Sequence, residues 1–499
     1  MPQIWDQPHK TEERVIHIEP VTRLEGHAKI DIFLDAKGDV EDAYFQVVEL
    51  RGFEEFCKGR PAEEMPRIVT RLCGVCPWPH HLASSRALDT LFDAPPPPTG
   101  HKLRELGYCA HMLESHIEHV YALGPAPDFV LGPAADPAKR NILGVIEAVG
   151  LEMGKEVIRH RSYAVEIENL VGGKSTHPVF SIPGGVSQGL TQEKVDRIRQ
   201  LADKLLAFTD VTLKVVDDVI LSNKDYMDII LRKDLYYHNS YHMGMVDASG
   251  KLTYYGGTIR VMNQEGKIVS TFTENEYLDH VAEHPVPWSY LKFPYLKKVG
   301  WKGLTDGPES GLYRVAPLSR MNVSDGMSTP KAQAVYQRFF DTLGAKPVQH
   351  SLAFHWARAI ECVYAAERLQ QLAHDPEILG KDFRTLSRGV TGEGIGIVEA
   401  PRGTLFHHYK SDSRGVITDV NLIVASAQNY GAMNIDVRNV ARGLIKGGQV
   451  SNGILNMVEM GFRSYDPCFS CSTHAAIGQM PMELVLHGPG GEEIRRISR

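Results

Sequence analysis

Between Val15 and Glu49 apolar and polar residues alternate as half-buried extended backbone requires. The run Ala28-Lys29-Ile30-Asp31-Ile32-Phe33-Leu34, the turn Ala36-Lys37-Gly38-Asp39 and a second run over 43–48 predict a hairpin. The proline run over 95–98 ends this region, because no helix crosses it. Beyond it the period changes. Leu103, Leu106, Ala110, Leu113, Ile117 and Val120 recur at helical spacing and predict a long buried helix, and further helices are expected over 192–220, 331–343 and 354–374. Two more extended insertions interrupt them, over 257–273 with a turn at Asn263-Gln264-Glu265-Gly266, and over 404–426 with a turn near Ser413-Arg414-Gly415.

The predicted architecture is α+β: one large unit with a long-helix bundle core and peripheral β-hairpins, without separable modules. The N-terminal β region covers about residues 15–50 and the helical core about residues 100–400.

Of the 499 residues, 43% are hydrophobic, enough for a large core, which excludes disordered, collagen-like and coiled-coil classes. Lys and Arg number 54 against 61 Asp and Glu, and a net charge of -7 gives no electrostatic footprint for nucleic acid or an anionic membrane. The first 15 residues hold no apolar signal core, and no run approaches the roughly 18 apolar residues of a membrane span. A cytoplasmic protein with reduced thiols is expected.

Seven cysteines are too few for a disulfide framework, so their placement decides their meaning. Four fall in two Cys-x-x-Cys pairs, Cys73/Cys76 and Cys468/Cys471, and together supply the thiolates of a soft metal site. Unrelated pairs of core cysteines are the plain alternative. A structural zinc knuckle draws its pairs from a short segment, whereas 391 residues lie between Cys76 and Cys468. An iron-sulfur cluster on the same ligands stays open, although no ferredoxin-like further cysteine is near. Each pair is followed by a histidine, His80 and His474, which favours a dedicated centre with supporting groups around it. Cys57, Cys109 and Cys362 are isolated and read as core thiols.

Five motifs carry a family resemblance: Arg23-Leu24-Glu25-Gly26-His27, Arg51-Gly52-Phe53-Glu54, Arg71 to Cys76 with His80, Glu399-Ala400-Pro401-Arg402-Gly403, and Asp466-Pro467-Cys468-x-x-Cys471-x-x-His474. On these, in this order, the chain resembles the large subunit of a nickel-iron hydrogenase from Glu19 to the C-terminus. The related quinone-binding subunit of respiratory complex I lacks the four cysteines.

The resemblance implies reversible heterolytic cleavage of H2 at a nickel-iron centre whose iron carries carbon monoxide and cyanide. It implies Cys73 and Cys468 as terminal nickel ligands and Cys76 and Cys471 as bridges to iron. Glu25 becomes the proton relay from Cys468, with a salt bridge to Arg23 as the plain alternative. Arg402 becomes a guanidinium over the metal pair, oriented by Asp128 and Asp466. Ser426 offers a hydroxyl to a cyanide, and His80 supports a sulfur or cyanide, while His81 is a packing residue. Glu54 and His474 become ligands of magnesium, or of iron or zinc, with a simple Glu-His hydrogen bond as the alternative.

Because the isolated cysteines make no second ligand set, an iron-sulfur small subunit is implied as partner. The segment 59–69 and Leu312-Tyr313-Arg314-Val315-Ala316-Pro317-Leu318-Ser319-Arg320 resemble cytoplasmic hydrogenases, most of all the viologen-reducing enzymes that partner heterodisulfide reductase. The NAD-reducing branch is nearly as similar, through Tyr290-Leu291-Lys292-Phe293-Pro294-Tyr295, and its nucleotide site would lie on a flavin-bearing subunit because no glycine fingerprint follows a strand here. Rival readings are an H2 sensor and a non-catalytic metal-stapled subunit. The resemblance also implies a maturation endopeptidase that cuts after His474, leaving residues 1–474 as the working domain and removing 475–499. With that extension attached, an incomplete metal site is expected.

Overall fold

A computed structural model of the chain describes residues 15–474, 483–488 and 493–498. The N-terminal strands Val15–Ile18, Ala28–Leu34 and Val40–Val47 form an antiparallel sheet in which Ile30 faces Phe45, as the alternation predicts. The strands Thr258–Met262 and Ile268–Phe272 form the second predicted hairpin. Tyr241–Val246 pairs with the first of these, and Tyr313–Arg314 adds in parallel to complete a four-stranded sheet. The helices Pro98–Glu118, Gln192–Val215, Pro330–Leu343 and Phe354–His374 occupy the predicted helical stretches. Among the described residues no helix is long and apolar enough to cross a membrane. Together these elements make the α+β unit that the periodicity predicts.

The hairpin Gly403–Ser411 and Ile417–Ile423 forms as expected, and its first strand is buried over seven of nine residues rather than peripheral. The strand Glu393–Ala400, which shows no simple alternation because seven of its eight residues are buried, completes its sheet. Across that sheet lies the helix Pro77–Leu91, which starts at Cys76. The approach is close: a β-carbon on Gly394 or Gly396 would come within 2.0 Å of the carbonyl oxygens of Ala87 and Ala83. Gly396→Ala is therefore expected to lift this helix off the sheet and lower stability by about 1–3 kcal/mol, measured as a fall in the thermal unfolding midpoint. Sheet and helix together bring Arg402 beside Cys76.

Candidate metal centre

Cys73 follows the short helical turn Val69–Leu72, and Cys468 precedes the helix Phe469–Ser472, which carries Cys471. The four sulfurs converge. Cys73 Sγ lies 3.3 Å from Cys468 Sγ, Cys76 Sγ lies 3.3 Å from Cys471 Sγ and 3.7 Å from Cys468 Sγ, and Cys468 and Cys471 are 2.8 Å apart. Ligand sulfurs about 2.3 Å from one ion stand roughly 3–4 Å from each other. All four are free, buried thiols. Burial opposes ionisation of Cys73, but hydrogen bonds from the other three thiols and the Arg402 charge push it well below the ordinary thiol range. The backbone N–H groups of Val75 and Cys76 also donate to Cys73 Sγ.

Backbone bonds lock the N-terminal loop onto the second cysteine pair. Glu25 N–H donates to Pro467 O at 3.2 Å, and Phe469 N–H donates to Glu25 O at 2.9 Å. Gly26 is required there: at φ 91° a β-carbon would meet Ser470 N at 2.8 Å. Arg23 and Asp466, on either side of this strap, both take left-handed backbone, with φ 58° and 60°. The result puts Glu25 Oε2 3.1 Å from Cys468 Sγ, where it also accepts from Ser470 N–H. Burial and the charge of Cys73 raise the Glu25 pKa, against hydrogen bonds from Cys468 and Ser470. Arg23 turns away from Glu25 to Asp128, so the simple salt-bridge reading of Glu25 does not hold.

Arg402 sits in the turn between Glu393–Ala400 and Gly403–Ser411, held by a buried ion network. Arg320 grips Glu361 at 2.7 and 2.6 Å, donates to Glu399 at 2.8 Å, and donates to the backbone oxygens of Ala400 and Pro401. Arg402 Nη2 donates to Asp466 Oδ1 at 3.0 Å. Burial disfavours the Asp466 carboxylate, yet the Arg402 and His119 groups beside it hold its pKa well below the usual range. Asp128 does not share this task. Its carboxylate contacts Arg23, Asn456 at 3.1 Å and Arg463 at 3.5 Å. Its expected place near Arg402 is taken by His119, whose Nδ1 lies 3.1 Å from Asp466 Oδ1. Asp128 lies in the second of two wide, π-helical turns, His119–Leu123 and Ala126–Val130, and His119 opens the first.

A small cavity opens on one side of the sulfurs, walled by Cys76, Cys468 and Cys471 together with Arg402, Ser426 and His80. Ser426 Oγ accepts from Cys468 N–H at 2.9 Å, so its hydroxyl hydrogen is available to the cavity. His80 Nδ1 lies 3.0 Å from His407 Nε2, and His407 Nδ1 is 2.5 Å from the Tyr409 hydroxyl, a chain that fixes the His80 ring. Burial depresses the His80 pKa to about 4, so the ring is neutral. His81 bonds Pro66 O and Ser181 N and serves packing, as expected.

Glu54 and His474 also meet. His474 Nδ1 is 3.1 Å from Glu54 Oε1, and both side chains are buried, so the pair could share a cation or bond directly. Glu54 Oε1 accepts from Leu422 N–H at 2.8 Å. Burial raises the pKa of this carboxyl, but His474, Lys292 and that N–H lower it further. Arg51, for which residue order alone suggests no role, ties the two cysteine loops together, donating to Leu72 O at 2.5 Å, Arg71 O at 3.0 Å and Ser470 O at 3.2 Å. Beyond His474 the strands Glu483–His487 and Glu493–Ser498 pair antiparallel.

A family model described as nickel-dependent hydrogenase matches residues 51–141 and 155–474, and one described as HoxL-like matches residues 15–50. The chain is 46% identical to an iron-sulfur subunit of the F420-non-reducing hydrogenase of Archaeoglobus profundus, over 97% of this chain and 99% of that one. It is 40% identical to the NAD-reducing hydrogenase HoxS subunit beta of Cupriavidus necator, over 97% and 100%. A crystal structure of an NAD+-reducing NiFe-hydrogenase in the H2-reduced state superposes with a TM-score of 0.83 at 35% identity, covering 92% of this chain and 99% of that one. The Ni-Fe-Se hydrogenase of D. vulgaris Hildenborough superposes with a TM-score of 0.71 at 26% identity, covering 92% and 100%.

Proposed function

The chain belongs to the nickel-dependent hydrogenases, as the catalytic large subunit, and from that membership we propose how its residues divide the work and where its electrons go. When bound, the nickel-iron pair supplies a soft redox site at which H2 yields two protons and two electrons. Cys73 and Cys468 would bind nickel alone, and Cys76 and Cys471 would bind both metals. The cavity beside three of the sulfurs supports a metal pair over a structural zinc ion. A structural zinc site is closed by its ligands, whereas here an opening walled by a cation, a hydroxyl and a neutral imidazole stands against three of the sulfurs. Those groups would suit carbon monoxide and cyanide on iron, since the Ser426 hydroxyl and Arg402 could donate to cyanide.

Glu25 takes a proton from Cys468 Sγ across their 3.1 Å contact and returns it in the reverse reaction. Arg402, aimed by Asp466, places fixed positive charge over the reacting site. Arg402→Lys loses the planar fork that holds both Asp466 and the cavity. It is expected to slow H2-dependent dye reduction by about 10²-fold while nickel content stays unchanged. Glu54 and His474 would hold magnesium, or iron or zinc, and pin the segment that carries Cys468 and Cys471.

Cys57, Cys109 and Cys362 are buried and lie outside the cysteine group that could hold a metal. Electrons therefore leave through an iron-sulfur small subunit docked on this chain. The resemblance of its motifs to viologen-reducing enzymes favours onward transfer to a heterodisulfide reductase-type acceptor system in the cytoplasm, and the likeness to the F420-non-reducing A. profundus protein agrees with that branch. The likeness to the C. necator protein supports the second reading, an NAD- and flavin-bearing module. Turnover under H2 separates them: viologen reduction without NAD reduction by the purified native complex supports the first, and NAD reduction the second. Absence of any H2 turnover in a nickel-loaded complex would favour an H2 sensor. The family model match ends at His474, where an endopeptidase would release residues 475–499; intact-mass measurement of the active complex tests that cut.

A further inference from the structure

A second buried ligand cluster lies apart from the cysteines and from the Glu54–His474 pair. The helices Pro98–Glu118 and Leu151–Gly172 pack side by side, and their facing residues line a partly open cavity of about 300 Å³ whose wall includes Gly74 and Val75, the turn between Cys73 and Cys76. His111 and Glu114 enter from one helix and Glu168 from the other, with relative exposures of 1%, 6% and 2%. His111 Nδ1 stands 3.1 Å from Glu168 Oε1 and 3.9 Å from Glu114 Oε2, and the three donors fall within 4.8 Å of one another. Donors bound about 2.0–2.2 Å from one ion are separated by roughly 3–4 Å.

We propose that His111, Glu114 and Glu168 bind a divalent first-row cation, Mn2+, Fe2+ or Zn2+, that braces the two helices beneath the Cys73–Cys76 turn. Charge supports it. Glu114, Glu118 and Glu168 face a single guanidinium, Arg161, which contacts Glu114 and lies 3.2 Å from Glu118. A divalent ion would satisfy carboxylates that one guanidinium cannot all pair. Burial keeps His111 neutral, the form that ligates. The His111 ring lies nearly parallel to the rings of Trp78 and Tyr108, and its Nδ1, which contacts Glu168 Oε1, is the nitrogen that faces the carboxylates. One imidazole and two carboxylates suit borderline first-row ions better than magnesium, and the polar cavity has room for waters to complete the shell.

The test uses the native holoenzyme complex, soaked with Mn2+ and studied by anomalous X-ray scattering and by paramagnetic resonance of the retained ion. An anomalous peak among His111, Glu114 and Glu168 is expected, together with Mn2+ binding weakened about 100-fold in Glu168→Gln and His111→Gln at unchanged nickel content. The wild-type scattering decides by itself should a variant assemble poorly. No peak at this position, equal Mn2+ retention in wild type and both variants, or a neutral carboxylic acid band in the infrared that disappears in Glu168→Gln would overturn the proposal, the last by showing a proton in place of the metal.

Discussion

Cys471→Ser in the assembled complex is expected to abolish both nickel retention and H2 turnover, with activity falling by about 10⁴-fold or more, the scale seen when a reacting group is removed. The change exchanges one sulfur for one oxygen, so packing is almost preserved. What is lost is softness and acidity: a hydroxyl stays protonated where a thiolate is needed, and nickel and low-valent iron prefer sulfur. Cys471 lies 2.8 Å from Cys468 and 3.3 Å from Cys76, so the effect spreads to both pairs. Cys109→Ser is the control. That residue is equally buried but stands outside the cluster, and its replacement should leave nickel in place. Metal analysis and H2-dependent viologen reduction on the two variants make the comparison. Retention of nickel and turnover in Cys471→Ser would remove that cysteine from the site.

Glu25→Gln should lower H2 oxidation and proton exchange by about 10²–10⁴-fold with full nickel content. Glutamine keeps the side-chain length and can still accept from Ser470 N–H through its amide oxygen, so the loop over Cys468 stays docked. It cannot carry the proton. In the wild type the Glu25 pKa is raised by burial and by the Cys73 charge, which narrows the free-energy gap for exchange near neutrality. Turnover with a dye acceptor and H2/D2O exchange measured together separate the roles: loss of both at normal nickel identifies the relay, and survival of both excludes it.

Much of the fold could be read where an element has one wet face. The hairpin Ala28–Leu34 with Val40–Val47 and the helix Pro330–Leu343 have such a face, and their periods are plain. The period fails where burial is all round. In the helix Ala425–Leu444 polar side chains point into the interior because each finds a partner: Asn429 accepts from Val315 N–H at 2.8 Å, Asn434 from Phe45 N–H at 2.9 Å, and Asp436 from the Tyr465 hydroxyl at 2.6 Å. No polar-apolar period survives in such a segment, and Ser426, expected at the end of a hairpin, lies instead in its first turn.

At the metal centre the cysteine spacing was enough to pair the four ligands, because thiolates about four hundred residues apart have few other reasons to repeat it. Glu25 and Arg402 were legible only through their motifs. The partner of Arg402 shows the limit of spacing. Asp466 is bound to it by the geometry of the Pro467 loop, whereas Asp128, in the turn Ala126–Val130, meets Arg23, and His119, which opens the turn His119–Leu123, meets Asp466. Local wide turns of that kind leave no clear mark in residue order. Arg51 and the Arg320–Glu361–Glu399 network were likewise invisible as partners, since their contacts join segments far apart in the chain.

We propose that the four sulfurs hold nickel and an iron bearing diatomic ligands. Metal analysis of the purified native complex, combined with infrared spectroscopy of the same sample, tests it most directly. One nickel per chain, with sharp bands of iron-bound carbon monoxide and cyanide that shift when H2 is admitted, is the predicted result. Zinc in place of nickel, with no such bands, would contradict it.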